Sequence, residues 1–271
     1  MAESKTGWQV TGKAPVAWEM FLVPALVDSL AENLVDRVGL RPGDRVLDVA
    51  CGTGCVARKA VSRVRWGGTV TGLDVNATQL EVAREAAQFV HPPIDYKEAD
   101  VQKMPFPDGS FDVVTCLNGL QYFPDRAGAL REMGRVLAPG GRLALLVMRG
   151  REHHPVWSLL AEALDRHVGP GCGNPMLGPF QLHDGDVIRS LVREAGFRDV
   201  KLEARMDSAR LPSVREFVRF QTSVLPRPNP ALDPTSAIDP VADELAGKLA
   251  HLVDDYGFVF PVQAWIVDAR R

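Results

Sequence analysis

The chain has 271 residues, 46% of them hydrophobic and 24% charged, the composition of a globule able to bury a full core and of a length for one α/β domain with insertions over 1–271. A formal net charge of -3, with no dense Lys/Arg run, argues against nucleic-acid binding by counterion release. The start lacks the pattern of a secretory signal, the apolar runs 21–27 and 143–148 are core-sized rather than membrane-sized, and four cysteines (Cys51, Cys55, Cys116, Cys172) fit no disulfide framework, so a cytoplasmic protein with reduced thiols is expected.

The N-terminal stretch 1–38 holds Trp8, Trp18 and Phe21, then Leu26, Leu30, Leu34 and Val38 on one apolar helical face stopped by Gly39 and Pro42. Residues 40–150 alternate strands and helices. Strand 45–50 leads through Cys51-Gly52-Thr53-Gly54 into a helix, and strand 69–75 into a helix for which Asn76 is the cap. Short strand 94–100 and the Pro-Asp-Gly turn follow. Strand 111–117 has the β-branched run of a strand covered on both faces. A helix from Asp125 to Leu137 ends at Pro139-Gly140-Gly141 and leads to strand 142–148. Alternation of this kind implies a parallel sheet with right-handed crossovers. The second half is looser. A Gly/Pro-rich segment 149–183, a helix 184–195 and a strand 199–205 are followed by a long insertion in which Pro226, Pro228, Pro230, Pro234 and Pro240 break two helical stretches, and strand 260–270 closes the chain. Segments 150–183 and 206–258 are expected to be helical lid insertions, since long insertions between late strands often cover a site.

Ligands of open parallel sheets bind outside the carboxyl ends of the strands. Glycines 52 and 54 let the backbone approach a ligand there, although Gly52-x-Gly54-x-x-Ala57 alone also satisfies the loose dinucleotide pattern. The acids discriminate. Asp48, Asp74 and Asp100 end three successive strands and would repel a pyrophosphate, whereas a cofactor with a sulfonium and an ammonium group gains from them. S-adenosylmethionine fits these signs. Asp74 is assigned to the ribose hydroxyls, Asp100 and the Val101 N–H to the adenine, and Asp48 with the glycine loop to the methionine end. The plainer reading of each acid is a helix cap or a loop carboxylate.

Four segments, 46–54, 71–76, 98–114 and 131–143, resemble the class I S-adenosylmethionine-dependent methyltransferases, within them the group of quinone-biosynthesis C-methyltransferases and natural-product methyltransferases. The resemblance implies an α/β, Rossmann-like, seven-stranded, mostly parallel sheet with the last strand antiparallel and helices on both faces. It implies cofactor contacts at Asp48, Ala50, Cys51, Gly52, Gly54, Asp74, Val75, Asn76, Asp100 and Val101, and a slot between cofactor and acceptor around Leu117 and Gln121. Segment 119–125 departs from the quinone subgroup, which carries a histidine there, and this weakens transfer of the quinone substrate.

Because a sulfonium methyl is already activated, positioning is the main task, and a general base is required only if the acceptor loses a proton. His153 and His154 follow the fifth strand and are candidate bases, with Tyr122 and Gln121 as orienting groups, against the plainer reading of an exposed histidine pair in a loop. Trp18, Phe21, Trp157 and Phe180 in the lid segments suggest an apolar or aromatic acceptor, although such residues are more often plain core. No metal site is expected, since HxxxH and CxxC pairs are missing from the sequence. The expected partner is a small-molecule methyl acceptor, without nucleic acid or membrane, with a homodimer left open. The rival readings are an NAD(P)-dependent oxidoreductase on the same fold and a non-catalytic S-adenosylmethionine-binding protein.

Overall fold

The computed structural model describes residues 14–65, 67–224 and 233–271; Trp8, Pro226, Pro228 and Pro230 lie outside them. A short helix α1 (Ala14–Ala17), a π-helical stretch (Trp18–Val27) and α2 (Asp28–Val38) form one continuous helical run, which Gly39 ends in the left-handed conformation at φ 62°. Then come β1 (Arg45–Val49), α3 (Cys55–Val64), β2 (Thr69–Asp74), α4 (Ala77–Ala86), β3 (Asp95–Glu98), β4 (Phe111–Leu117), α5 (Arg126–Val136) and β5 (Leu137–Met148). The second half adds α6 (Pro155–His167), α7 (Gly185–Glu194), β6 (Arg198–Leu211), α8 (Val214–Val224), α9 (Ile238–Lys248), β7 (Val253–Asp254) and β8 (Gly257–Arg270).

The strands form a sheet of order β3-β2-β1-β4-β5-β8-β6, with the two-residue β7 paired to β8. Strands β1 to β5 pair in parallel and β8 runs antiparallel to both neighbours. The expected seven-stranded sheet with an antiparallel last strand is therefore present, with β7 as a stub beside it. Alternation along the strands feeds two cores. Val46, Val113 and Ala144 face α2 and α3, while Leu47, Val114 and Leu143 face α5 and α7.

Cap chemistry sets the helix starts. Asn76 accepts from the N–H groups of Thr78 and Gln79, Asp125 from Gly128, and Asp184 from Asp186 and Val187. The late strands overrun their expected bounds. β6 continues to Leu211 in full register with β8 down to Leu211↔Phe258, so residues 206–211 belong to the sheet and not to a lid. The extended ribbon is held by an aromatic cluster. Phe258 and Phe260 meet Phe217 of α8, and Phe260 meets Trp157 of α6 with ring centroids 5.2 Å apart. No local periodicity signals that contact.

The run Ala14–Val38 is 25 residues long with a hydropathy of 1.3, long and apolar enough to cross a membrane by length and composition. Unbroken apolar stretches in the sequence do not reveal it, because Glu19 and Asp28 interrupt them. Here Ala31, Leu34 and Val35 are buried in the core shared with α3, while Val16, Met20 and Phe21 stay exposed.

Candidate active site

At the carboxyl ends of β1, β2 and β4 lies a cavity of about 220 Å³ whose two ends differ in chemistry. The polar end is built by β1, the glycine loop and β2. Asp48, the fourth residue of β1, is 1% exposed; its Oδ1 accepts from the Thr115 hydroxyl at 2.9 Å, while Oδ2 has no hydrogen-bond partner among the described residues. Burial pushes its carboxyl up to about 7, and the nearby Asp74 adds to the shift, while Thr115 and the Ala57 N–H oppose it. Asp74 accepts from the backbone N–H of Gly52 at 2.8 Å and of Asn76 at 2.9 Å, so it ties the glycine loop to the end of β2. Its carboxyl is also raised by burial, opposed by those amides. A carboxylate has about four lone-pair sites, so both oxygens retain capacity for further donors.

The backbone is strained where the strands end. Ala50 and Asn118 hold φ of 53° and 57°, rare for residues with a Cβ, and both line the cavity at the ends of the adjacent β1 and β4. Gln121 donates from Nε2 to Asn118 Oδ1 at 2.7 Å and thereby fixes that turn.

The other end is apolar. Trp18, Leu22 and Leu26 from the N-terminal run, Trp157 from α6, and Met176 and Phe180 from the turn at 174–180 supply its walls. Trp157 and Phe180 also serve the core, since each is nearly buried and they meet edge to face with centroids 5.8 Å apart.

Of the residues singled out from sequence, the cavity brings together Asp48, Ala50, Cys51, Gly52, Asp74, Val75, Asn76, Leu117, Tyr122, Trp18, Trp157 and Phe180. Others stand elsewhere. Asp100 is exposed and caps the turn Val101–Lys103 by accepting from Gln102 N–H at 2.8 Å, while Val101 is buried in the core on the α5 side. Gly54 backs onto Tyr96, and Gln121 packs behind Asn118. Phe21 is 39% exposed and stacks on Phe220 of α8 at 4.3 Å.

The histidine assignment is corrected by the geometry. His154 is fully buried, with Nδ1 3.0 Å from the Gly150 carbonyl and Nε2 accepting the Gln263 N–H at 2.9 Å. A ring whose lone pair is taken by an amide has none left for a substrate proton, and burial lowers its pKa further. His154 therefore braces the end of β5 against β8. His153 lies 3.5 Å from the Glu152 carboxylate and outside the cavity lining.

Two glutamines escaped the sequence reading. Gln79 of α4 is 7% exposed and lines the polar end, with its Oε1 unpartnered among the described residues. Gln221 of α8 lines the apolar end and is equally buried. Gln221 had a visible signal, a polar residue in the apolar stripe Phe217, Gln221, Val224.

Residues 47–145 match a family model described as a methyltransferase domain. The ubiquinone/menaquinone biosynthesis C-methyltransferase of Ectopseudomonas mendocina is 39% identical over 159 residues, 58% of this chain and 60% of that protein. Its counterpart in Photorhabdus laumondii is 34% identical over 182 residues, 61% of this chain and 71% of that one. The chain belongs to the class I S-adenosylmethionine-dependent methyltransferases. Against the first of these methyltransferases it spans 60% of the relative's length. The fold is shared with phosphoethanolamine N-methyltransferase 2 of Haemonchus contortus, 20% identical with a TM-score of 0.59 over 95% of this chain and 56% of that one.

The residues at the polar end suit the cofactor of a methyltransferase of this family. Asp48 Oδ2 and Gln79 Oε1 are buried acceptors left unsatisfied among the described residues, an expense that a donor-rich, cationic ligand removes.

Proposed function

We propose that this protein transfers the methyl group of S-adenosylmethionine to a small, largely apolar ring compound. The observation that carries the reading is the division of one cavity into an acid-lined end at β1 and β2 and an apolar end walled by the N-terminal run, α6 and the turn at 174–180. When bound, the sulfonium supplies an activated methyl electrophile. Asp48 provides a counter-charge for the ammonium, and Asp74, with Gln79 beside it, accepts from the ribose hydroxyls. Leu117, Asn118 and Gly119 also line the cavity, and the apolar side chains exclude water from the transfer.

Among the described residues, the apolar end supplies no group poised to take a proton near neutrality. Tyr122 has its phenol pushed above its usual range by burial, and Cys55, beside the glycine loop, is pushed up to about 12. The acceptor must therefore arrive as a competent nucleophile, and an electron-rich hydroquinone or phenol ring with an acidic hydroxyl fits that demand. The curated relatives' quinone chemistry supports this class. Most walls of the apolar end, from the N-terminal run, α6, the turn at 174–180 and α8, lie outside residues 47–145, so the particular ring is this chain's own. A net charge of -3 supports a small molecule over a nucleic acid as acceptor, and the four free thiols support a reducing compartment.

The test is incubation with methyl-labelled S-adenosylmethionine and a panel of hydroquinones, phenols and amines, with products read by mass. Label on a ring compound, with S-adenosylhomocysteine released, is the expected result. Cofactor binding with no labelled product across the panel would favour the non-catalytic reading instead.

A further inference from the structure

α8 is an amphipathic helix whose inward stripe runs Phe217, Gln221, Val224. Phe217 is fully buried in the aromatic cluster and Val224 is 2% exposed. Gln221 sits between them at 7% exposure, lining the same cavity as Trp18, Leu22 and Val224. No side-chain hydrogen bond ties its amide to another described residue, and the residue stands on the cavity wall. An amide held on an apolar wall without a protein partner gives up part of its solvation for no contact within the fold. A leucine would satisfy the helix pattern, the core and the cavity wall at that position. The amide has no structural return, and the apolar surroundings make any hydrogen bond it forms with a ligand selective.

We propose that Gln221 is a specificity-determining residue: its amide hydrogen-bonds one neutral hydroxyl or carbonyl on an otherwise apolar acceptor. The inference rests on reading this end of the cavity as the acceptor chamber, but not on turnover. A site built around one amide rejects the isostere that lacks the polar group more strongly than it discriminates by size.

The experiment uses the full chain saturated with S-adenosylhomocysteine and two probes of one shape, p-cresol and p-xylene, with binding followed by tryptophan fluorescence, since Trp18 and Trp157 line the chamber. Wild type is expected to prefer p-cresol by roughly ten-fold, and Gln221→Leu to abolish the preference while its melting temperature stays equal or rises. Gln221→Met, unbranched and close in volume, serves if the leucine variant folds poorly. Equal binding of both probes by wild type, or a preference that survives substitution, overturns the proposal, as does a fall in melting temperature in both variants, which would make the amide structural. Failure of both probes to bind overturns it together with the apolar-chamber reading. Failure of the methyl-transfer reading alone would appear as retained probe selectivity without labelled product.

Discussion

Asp48 is placed where a carboxylate is least comfortable, at the end of a buried strand, and its Oδ2 has no hydrogen-bond partner among the described residues. Burial raises its carboxyl to about 7, against about 3.9 in an unfolded chain. The folded state thus holds a proton that the unfolded state has lost, so its stability is fullest below pH 4 as far as this group decides, and declines as pH rises through 7. Asp48→Asn keeps an acceptor for Thr115 and removes the titration. The variant is expected to be more stable than wild type at pH 8, by up to about 4 kcal/mol, with the gap narrowing toward pH 5 and closing below about pH 4. It should also bind S-adenosylmethionine at least ten-fold more weakly, because the counter-charge is gone. Denaturation curves at several pH values check the first effect and calorimetry the second; a constant stability gap across pH would refute the titration at Asp48.

At the scale of elements, the site is one strand, one turn and one helix start. β1 carries the acid outward, the turn lets the backbone in, and α3 begins at Cys55 behind Gly54, which holds φ 82°. A methyl group added at Gly54 would be both in a conformation that L residues avoid and against the Tyr96 ring, whose Cζ would stand 3.0 Å away. Gly54→Ala is therefore expected to cost about 1–3 kcal/mol and to weaken cofactor binding by displacing the loop that Asp74 holds through Gly52. Chemical denaturation and calorimetry measure both, and a wild-type denaturation midpoint in the alanine variant would sink the account. This element was legible in sequence because local chemistry dictates it: a hydrophobic strand, glycines for a tight turn, then a helix. Asn76 was legible as a cap for the same reason, since a cap acts within three residues, and Asp125 and Asp184 were legible as helix starts. His154 was not, because its role depends on the Gln263 amide 109 positions away. The same holds for Phe21, whose partner Phe220 lies on another late helix. Pattern reading sees neighbours in sequence, and these contacts exist only after β8 has returned to lie beside β5.

For the whole molecule, the parallel half of the sheet follows from alternation, whereas the apolar part of the cavity is assembled from three distant segments: the N-terminal run, residues 155–180 and α8. Sequence therefore indicates the polar part by its motifs and the other only by its apolar character. The polar part also bears on the choice between the two small-molecule classes that this type of fold serves. Asp48 and Asp74 line the same cavity, and in a poorly solvated site an added pyrophosphate would meet their repulsion while a sulfonium and an ammonium would not. Saturation with S-adenosylmethionine at about 100 times its dissociation constant stabilises the folded state by about 2.7 kcal/mol, and a chain of this size gains roughly 2–4 °C per kcal/mol. A rise in melting temperature on the order of 5 °C is expected with S-adenosylmethionine and with S-adenosylhomocysteine, and none with NADH or NADPH. The two methyl-cofactor forms should also differ with pH, because only the sulfonium gains from ionised Asp48: its advantage over the neutral thioether should grow between pH 6 and 8. A melting curve displaced by a nicotinamide cofactor, or equal shifts for both forms at every pH, would show that charge is not what this cavity selects.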